Sequence, residues 1–253
     1  MKYLLIALTF LACQNIPRHN RSLKISTEVL DTIKSVPAKL DAKPVLFEAA
    51  FIKGTTQQGK TATINLYGVT IGKIKIVSGH VIACDPLHID EYGIPFTQAF
   101  PTGEFPVQLS IAEVGGEETI AFARINFSDE PVERWEFALQ KGQPAIPVGG
   151  EEMYGYSVDA GVGIFMDEEA TKALDTKKIW DLESEHELFK EMDKHYRHDW
   201  KYAIYNFGTH NLAAFTSGVG DGRYATYIGF DANGKPGRLL TDFGLFDWKQ
   251  NKK

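Results

Sequence analysis

The sequence feature that most constrains the fold is an alternation of apolar and polar residues with a period of two, which begins at Pro44. The alternating runs are short, rich in Val, Ile and Thr, and divided by glycines, which is typical of strands in antiparallel sheets. The pattern predicts strands over these ranges: Val45–Ile52, Ala62–Gly68, Thr70–Cys84, Gly103–Val114, Thr119–Phe127, Arg134–Leu139, Ala203–Tyr205, Leu212–Ser217, Tyr224–Phe230 and Gly237–Phe243.

Two segments depart from this pattern. Ser26–Val36 places its apolar residues on one helical face and is followed by Pro37, so it predicts a short N-terminal helix. Residues 167–198 are rich in Glu, Lys, Leu and Asp, and their apolar residues have helical spacing. The fold class predicted is therefore α+β and mostly β, an antiparallel sheet or sandwich with a helical insertion at about 167–198.

The N-terminus has the composition of a secretory signal. Lys2 is followed by an apolar run, Leu4–Ala12, that is far shorter than the roughly 20 residues needed to span a bilayer. Phe10–Cys13 resembles the lipobox of bacterial lipoproteins, although Phe10 stands where leucine is usual. We interpret 1–12 as a signal peptide, 13–24 as a tether lipidated at Cys13, and 25–253 as a single globular domain. A plain signal peptide that happens to contain a cysteine is the alternative.

This interpretation predicts a protein that is secreted across the inner membrane and lipid-anchored in the cell envelope. The charge argues against nucleic acid as a partner, because 27 Lys and Arg residues oppose 33 Asp and Glu residues for a net charge of −6. The second cysteine, Cys84, lies in an apolar run and is expected to be a buried, inert thiol.

The sequence lacks the common nucleotide-binding, dinucleotide-binding, nucleophile-elbow and zinc-protease motifs, which lowers the expectation of those enzyme classes. His195 and His198 have a spacing at which two histidines on a helix can face one metal. The interleaved Lys194 and Arg197 oppose a cation there, and a solvated helix end is the alternative.

Two glycine-rich acidic segments are the strongest candidates for a site. In Tyr156–Asp167, glycines interrupt a strand-like run, which indicates a bulge or a close approach of the backbone. Asp167 is followed by Glu168 and Glu169, as expected of a helix N-cap, whereas Asp159 has no such explanation. Ser217–Tyr224 holds three glycines around Asp221 and could form an anion-binding nest, a cation site or a hairpin turn.

Taken together, the segments resemble a known family, domain of unknown function 4241. The matching stretches cover most of 44–244: Ser78–Pro86, Pro106–Ala112, Ala121–Ser128, Pro131–Ala138, Tyr156–Asp167, Ser217–Tyr224, Tyr227–Asp231 and Asp242-Phe243. The chain departs from the family pattern at Ala225, where proline is usual, and in the variable region 167–198. The resemblance implies a mostly β domain and carries no activity.

Our first functional hypothesis is a ligand or metal site where the two acidic segments meet, with Asp159 and Asp221 as candidate catalytic residues. The candidate ligand-binding residues are Asp85, Tyr156, Gly161, Asp167, Ser217, Gly220 and Tyr224. A divalent cation is a candidate cofactor, and a cation-activated water would allow hydrolysis.

Two alternatives stay open. The chain could be a non-enzymatic surface module that binds a protein or a glycan, for which exposed aromatic residues would be the signature; its tryptophans are Trp135, Trp180, Trp200 and Trp248. Alternatively, the glycines serve only the tight turns of a β-sandwich. The ligand class (small molecule, glycan or protein) is not determined by the sequence.

Overall fold

The computed structural model of the chain describes residues 42–59, 62–180 and 186–250. These residues belong to the unit Lys39–Lys253. The predicted signal peptide at 1–12, the tether at 13–24 with Cys13, and the predicted helix Ser26–Val36 lie outside the described residues.

The larger of two sheets has eight antiparallel strands and curls into a half-barrel. Its members are β1 (Thr55–Gln58), β2 (Thr63–Ile76), β4 (Gly103–Val114), β5 (Glu117–Asn126), β6 (Arg134–Phe137), β7 (Tyr156–Val158), β11 (Gly222–Phe230) and β12 (Pro236–Asp242). The strand order is β1-β2-β4-β5-β12-β11-β6, and β7 pairs with the part of β11 that precedes the β6 pairing.

The smaller sheet has four antiparallel strands in the order β3-β8-β10-β9. They are β3 (Val81–Cys84), β8 (Val162–Asp167), β9 (Tyr202–Phe207) and β10 (His210–Thr216). The main core lies between the two sheets, where alternate residues of both sheets pack together; among them are Ile74, Leu109, Ile125, Phe165 and Phe215.

Among the described residues, four short helices accompany the sheets: α1 (Leu46–Ala49), α2 (Ile89–Tyr92), α3 (Thr176–Trp180) and α4 (Glu187–Asp193). In the same part of the chain, 3-10 turns lie at Pro86–His88, Glu168–Lys172 and Trp248–Gln250. Ile179 of α3, together with Leu188 and Met192 of α4, covers the outer face of the smaller sheet. The prediction of a mostly β, antiparallel fold with a helical insertion is confirmed.

The predicted strand Val45–Ile52 is wrong, because this segment contains α1. Leu46, Phe47 and Ala50 recur at helical spacing, and all three are buried. The Phe47 ring contacts the rings of Phe122, Trp135 and Tyr227 on the outer face of the larger sheet, and also the ring of Trp248 in the 3-10 turn Trp248–Gln250. Packing against the apolar outer face of the larger sheet stabilises this one-turn helix, which would be unstable alone.

The predicted strands Ala62–Gly68 and Thr70–Cys84 are divided differently in the structure. A single strand, β2, runs through both predictions and bulges between Thr70 and Gly72, where Gly72 has a φ of 143°. A side chain at Gly72 would lie 2.6 Å from Ile204, so the bulge brings β2 close to β9. The second prediction also includes a turn, after which β3 begins in the other sheet.

A half-buried ion cluster fastens α1 to the larger sheet. The Glu48 carboxylate lies 2.9 Å from Arg124 Nη1 and 3.2 Å from Arg238 Nε. The pKa of Arg124 is lowered to about 10, chiefly by burial and also by the charge of Arg238, while Glu48 opposes both effects. Glu48 therefore compensates two buried guanidinium groups and orients α1 on the sheet.

Candidate functional site

Asp85 joins two of the predicted segments. It is buried, and its Oδ2 accepts hydrogen bonds from the backbone N–H groups of Asp159 (2.7 Å) and Ala160 (2.8 Å). Its Oδ1 accepts from the N–H of Leu87 (2.7 Å) and so caps the 3-10 turn that begins at Pro86. The carboxylate is saturated by backbone donors, and it fixes the turn after β7 to the segment after β3.

Asp159 lies at the surface beside a residue that sequence analysis missed. Its side chain is 66% exposed, and its Oδ2 is 3.1 Å from Nε2 of His88, whose own side chain is 32% exposed. The Tyr92 ring contacts the His88 ring at a centroid distance of 5.6 Å. An imidazole oriented by a carboxylate can act as a proton acceptor or donor.

Asp221 and Gly161 connect the two glycine-rich acidic segments. The exposed Asp221 accepts a hydrogen bond from the Gly161 N–H at 3.1 Å, and the Ser217 N–H donates to the Gly161 carbonyl at 2.9 Å. Gly161 has a φ of 62°, which permits this tight turn between β7 and β8. The two segments therefore contact each other, and they meet at the molecular surface.

The segment Ser217–Tyr224 forms a compact turn that leads into β11. The Gly220 N–H donates to the Ser217 carbonyl, and the Gly220 carbonyl accepts from the hydroxyls of Ser217 (2.8 Å) and Tyr224 (2.6 Å). Burial raises the pKa of Tyr224, so its phenol remains a neutral donor. The amide of Gly218 donates to the carbonyl of Thr216, so the Gly218 and Gly220 amides are both engaged within the turn.

Asp167 lies apart from this surface, at the other end of β8. It is fully buried, its Oδ1 accepts from the Glu169 N–H, and its Oδ2 accepts from Val77 N–H, Ser78 N–H and the Ser78 hydroxyl. These bonds cap the 3-10 turn Glu168–Lys172, in agreement with the N-cap interpretation. They also hold the turn between β2 and β3 against the smaller sheet.

Tyr156 is directed into the protein from β7, between the two sheets. Its ring lies over β8, where a side chain at Gly163 would come within 2.6 Å of the phenol oxygen. The close backbone approach predicted from the glycines of this segment is thus an approach by one of its own side chains. Tyr156 therefore lies on the opposite side of β7 from the exposed surface that carries Asp159.

The two histidines proposed as metal ligands have different partners. The His195 ring stacks on the Tyr202 ring at a centroid distance of 4.7 Å, whereas His198 Nε2 lies 3.6 Å from Glu118. Glu118 also accepts hydrogen bonds from the side chains of Tyr67 and Trp200. Within the described ranges, no group of three or more His, Cys, Asp and Glu side chains has an arrangement that could hold a metal ion.

The surface where the three turns meet is called here the loop junction and comprises residues 85–92, 159–161 and 217–221. It exposes the carboxylates of Asp159 and Asp221, and beside them two large side chains, Tyr92 (50% exposed) and Val219 (74% exposed). A hydrogen bond from Tyr92 to Glu91, together with the charges of Glu91 and Asp159, raises the pKa of Tyr92. The loop junction is consequently acidic and partly apolar.

Sequence analysis could have found His88 through one local signal. Asp85 followed by Pro86 predicts a capped turn, and His88 lies within that turn. Its partner Asp159 is 71 residues away, so their pairing depends on the packing of β3 against β8 and is not encoded locally.

Comparisons with known proteins identify the family and give no activity. The family described as "Protein of unknown function (DUF4241)" matches residues 74–241, well over half of the chain. The chain belongs to this family. The DUF4241 match includes the whole loop junction and all of the smaller sheet, and it begins inside β2. Neither the curated proteins nor the solved structures contained a match to the chain.

Two further findings do not concern the loop junction. Cys84 is buried and unpaired, and burial raises the pKa of its thiol. None of the helices in the described part of the chain is both long and apolar enough to cross a membrane.

Replacing the central carboxylate of the loop junction tests its structural role. We expect Asp85→Ala to lower the free energy of unfolding by about 3 kcal/mol, because three backbone donors lose a charged acceptor in a buried position. Guanidinium unfolding followed by circular dichroism measures the change. The matched control Asp159→Ala removes an exposed carboxylate and should cost no more than about 1 kcal/mol. Equal losses for the two variants would contradict this account of Asp85.

Proposed function

We propose that this protein is a binding module whose loop junction recognises a positively charged segment of a partner protein. The observation that carries the proposal is the convergence of three turns from both sheets on one surface, fixed by hydrogen bonds that backbone amides donate to Asp85 and Asp221. Turns held in this way present their exposed side chains with little loss of conformational entropy on binding.

The chemistry of the loop junction favours a cationic protein segment. The carboxylates of Asp159 and Asp221 are exposed, and neither forms an ion pair with Lys or Arg among the described residues. Tyr92 adds a ring suited to a cation, and Val219 adds an apolar contact. Lysine and arginine side chains combine a charge with an apolar stem and so match both features.

A charge-matched pair of double variants tests this function. We expect the full chain to bind an acetylated tetralysine peptide at low ionic strength, and Asp159→Asn/Asp221→Asn to weaken binding about fivefold or more. The control Glu104→Gln/Glu151→Gln removes the same number of exposed negative charges elsewhere and should change affinity less than about twofold. Isothermal titration calorimetry measures both. Equal weakening would mean that only the net charge matters, and would contradict a role for the loop junction.

The pair formed by His88 and Asp159 favours hydrolysis as a second candidate function. With Nε2 facing the carboxylate at 3.1 Å, the ring would have Nδ1 available to activate a water. Asp221, the other proposed catalytic residue, lies beside the same turn through Gly161. Hydrolysis by His88 and Asp159 would not require a divalent cation.

Hydrolysis is tested with p-nitrophenyl acetate, p-nitrophenyl phosphate and p-nitrophenyl glucoside. If the pair is catalytic, the full chain should exceed the protein-free rate, and His88→Gln or Asp159→Asn should each reduce the excess about 100-fold. His195→Gln, whose ring stacks on Tyr202 instead, should retain the full rate. If the rate does not exceed that of the protein-free control, the hydrolytic function is contradicted, whereas the binding function is unaffected.

We also propose that the chain is secreted and lipid-anchored in the cell envelope through Cys13, on the strength of the N-terminal sequence. In a bacterial host, Cys13→Ala should move the protein from the membrane fraction to the soluble fraction and abolish palmitate labelling, because the acyl chains provide the attachment. The control Cys84→Ala, at a buried thiol, should remain membrane-attached. Equal labelling of wild type and Cys13→Ala would contradict the anchor.

A further inference from the structure

Three large apolar side chains are exposed within one eight-residue stretch of the chain, residues 87–94. Leu87 is 37% exposed, Tyr92 is 50% exposed and Ile94 is 45% exposed. Leu87 and Tyr92 belong to the loop junction, and Ile94 follows it by two residues. We call these three side chains the apolar patch. A single exposed apolar residue is common on a protein surface, whereas a local concentration of them is favourably removed from water by a partner.

The backbone beneath the apolar patch is held in place by burial and by hydrogen bonds. Ile89 of α2 is buried in the core cluster on the outer side of the smaller sheet. The Gly93 N–H donates to the Ile89 carbonyl at 2.9 Å, and the Ile94 N–H donates to the Tyr92 carbonyl at 2.7 Å. The Ile94 carbonyl accepts from Nε2 of Gln140 at 3.2 Å. A partner can therefore contact the patch without first ordering this part of the chain.

The surface around the apolar patch is acidic. The loop junction contains five carboxylates and neither Lys nor Arg, and four of the carboxylates are exposed: Asp90, Glu91, Asp159 and Asp221. These charges disfavour an anionic lipid surface as the occupant of the patch. They also disfavour a second copy of this chain, which would bring the same carboxylates against them in a twofold contact. Charge complementarity leaves a basic partner.

Hydrogen bonds fix the order of the three turns across this surface. The Asp159 and Ala160 amides donate to Asp85, and the Gly161 amide donates to Asp221. The turn 159–161 therefore lies between the segment 85–92, which carries most of the apolar patch, and the turn 217–221. A segment that covers the loop junction meets apolar surface on one side and carboxylates in the middle and on the other side.

We propose that the cationic segment recognised by the loop junction is amphipathic, with large apolar side chains that pack on the apolar patch and basic side chains that meet Asp159 and Asp221. This inference rests on the function proposed above and specifies the chemistry of its partner. Burial of leucine- or isoleucine-sized side chains against Leu87, Tyr92 and Ile94 supplies affinity that the stems of lysine and arginine alone do not. The carboxylates select a basic segment among apolar ones.

The test uses the full chain and two peptides of equal length and charge, Lys-Leu-Leu-Lys-Lys-Leu-Lys and Lys-Gln-Gln-Lys-Lys-Gln-Lys, each acetylated and amidated. Isothermal titration calorimetry at low ionic strength measures both affinities. We expect the leucine peptide to bind about tenfold more tightly than the glutamine peptide, because only its leucines gain from burial on the patch.

Leu87→Gln/Ile94→Gln should abolish this difference and leave the affinity for the glutamine peptide within about twofold, because the carboxylates are unchanged. That unchanged affinity also shows that the loop junction of the variant is folded. The matched control Val45→Gln/Ile52→Gln replaces two exposed apolar side chains beside α1 and should preserve the difference. Asp159→Asn/Asp221→Asn should weaken both peptides by the same factor, about fivefold or more.

The outcomes separate this inference from the function on which it rests. Equal binding of the two peptides, or a preference for leucine that Leu87→Gln/Ile94→Gln leaves intact, would overturn the amphipathic partner and leave the loop-junction function standing. Absence of binding by both peptides, or their insensitivity to Asp159→Asn/Asp221→Asn, would overturn the loop-junction function and this inference with it.

Discussion

The positions of the loops depend on buried aspartate carboxylates that accept hydrogen bonds from main-chain N–H groups. Asp85 and Asp167 each bind donors from two different segments, and Asp231 and Asp242 each close a single turn or chain end in the same way. A buried charge is tolerated when several oriented donors replace its water. In this protein, these bonds also join the two sheets to the turns between them. The buried carboxylates therefore determine where the surface turns lie.

This arrangement divides the acidic residues of the site into two kinds. Asp85 and Asp167 are saturated by amides and serve the architecture, whereas Asp159 and Asp221 are exposed. A carboxylate already occupied by three or four donors has little capacity left for a ligand, while an exposed one retains it. The exposed pair is therefore the part of the loop junction that a partner can reach, and the buried pair determines where the exposed pair lies.

The strand β7 leads from the core to the loop junction. Its first residue, Tyr156, packs between the two sheets, and Asp159 follows directly after its last residue, Val158. Because side chains alternate along a strand, one three-residue element can contribute to the core and also lead into a surface turn. The hydrogen bonds from Asp159 and Ala160 to Asp85 hold the end of this strand in place.

The sequence by itself determined the mostly β fold class, the helical insertion after Asp167 and the N-cap there, because alternation and capping are local signals. Only the tertiary structure decided that Leu46–Ala49 is a helix, since its short apolar run fits a strand until Phe47 has an aromatic face to pack against. It also decided the pairing of His88 with Asp159 and the contact between the Asp159 and Asp221 segments. Both depend on which distant strands become neighbours in the sheets, and a local sequence pattern does not determine this pairing.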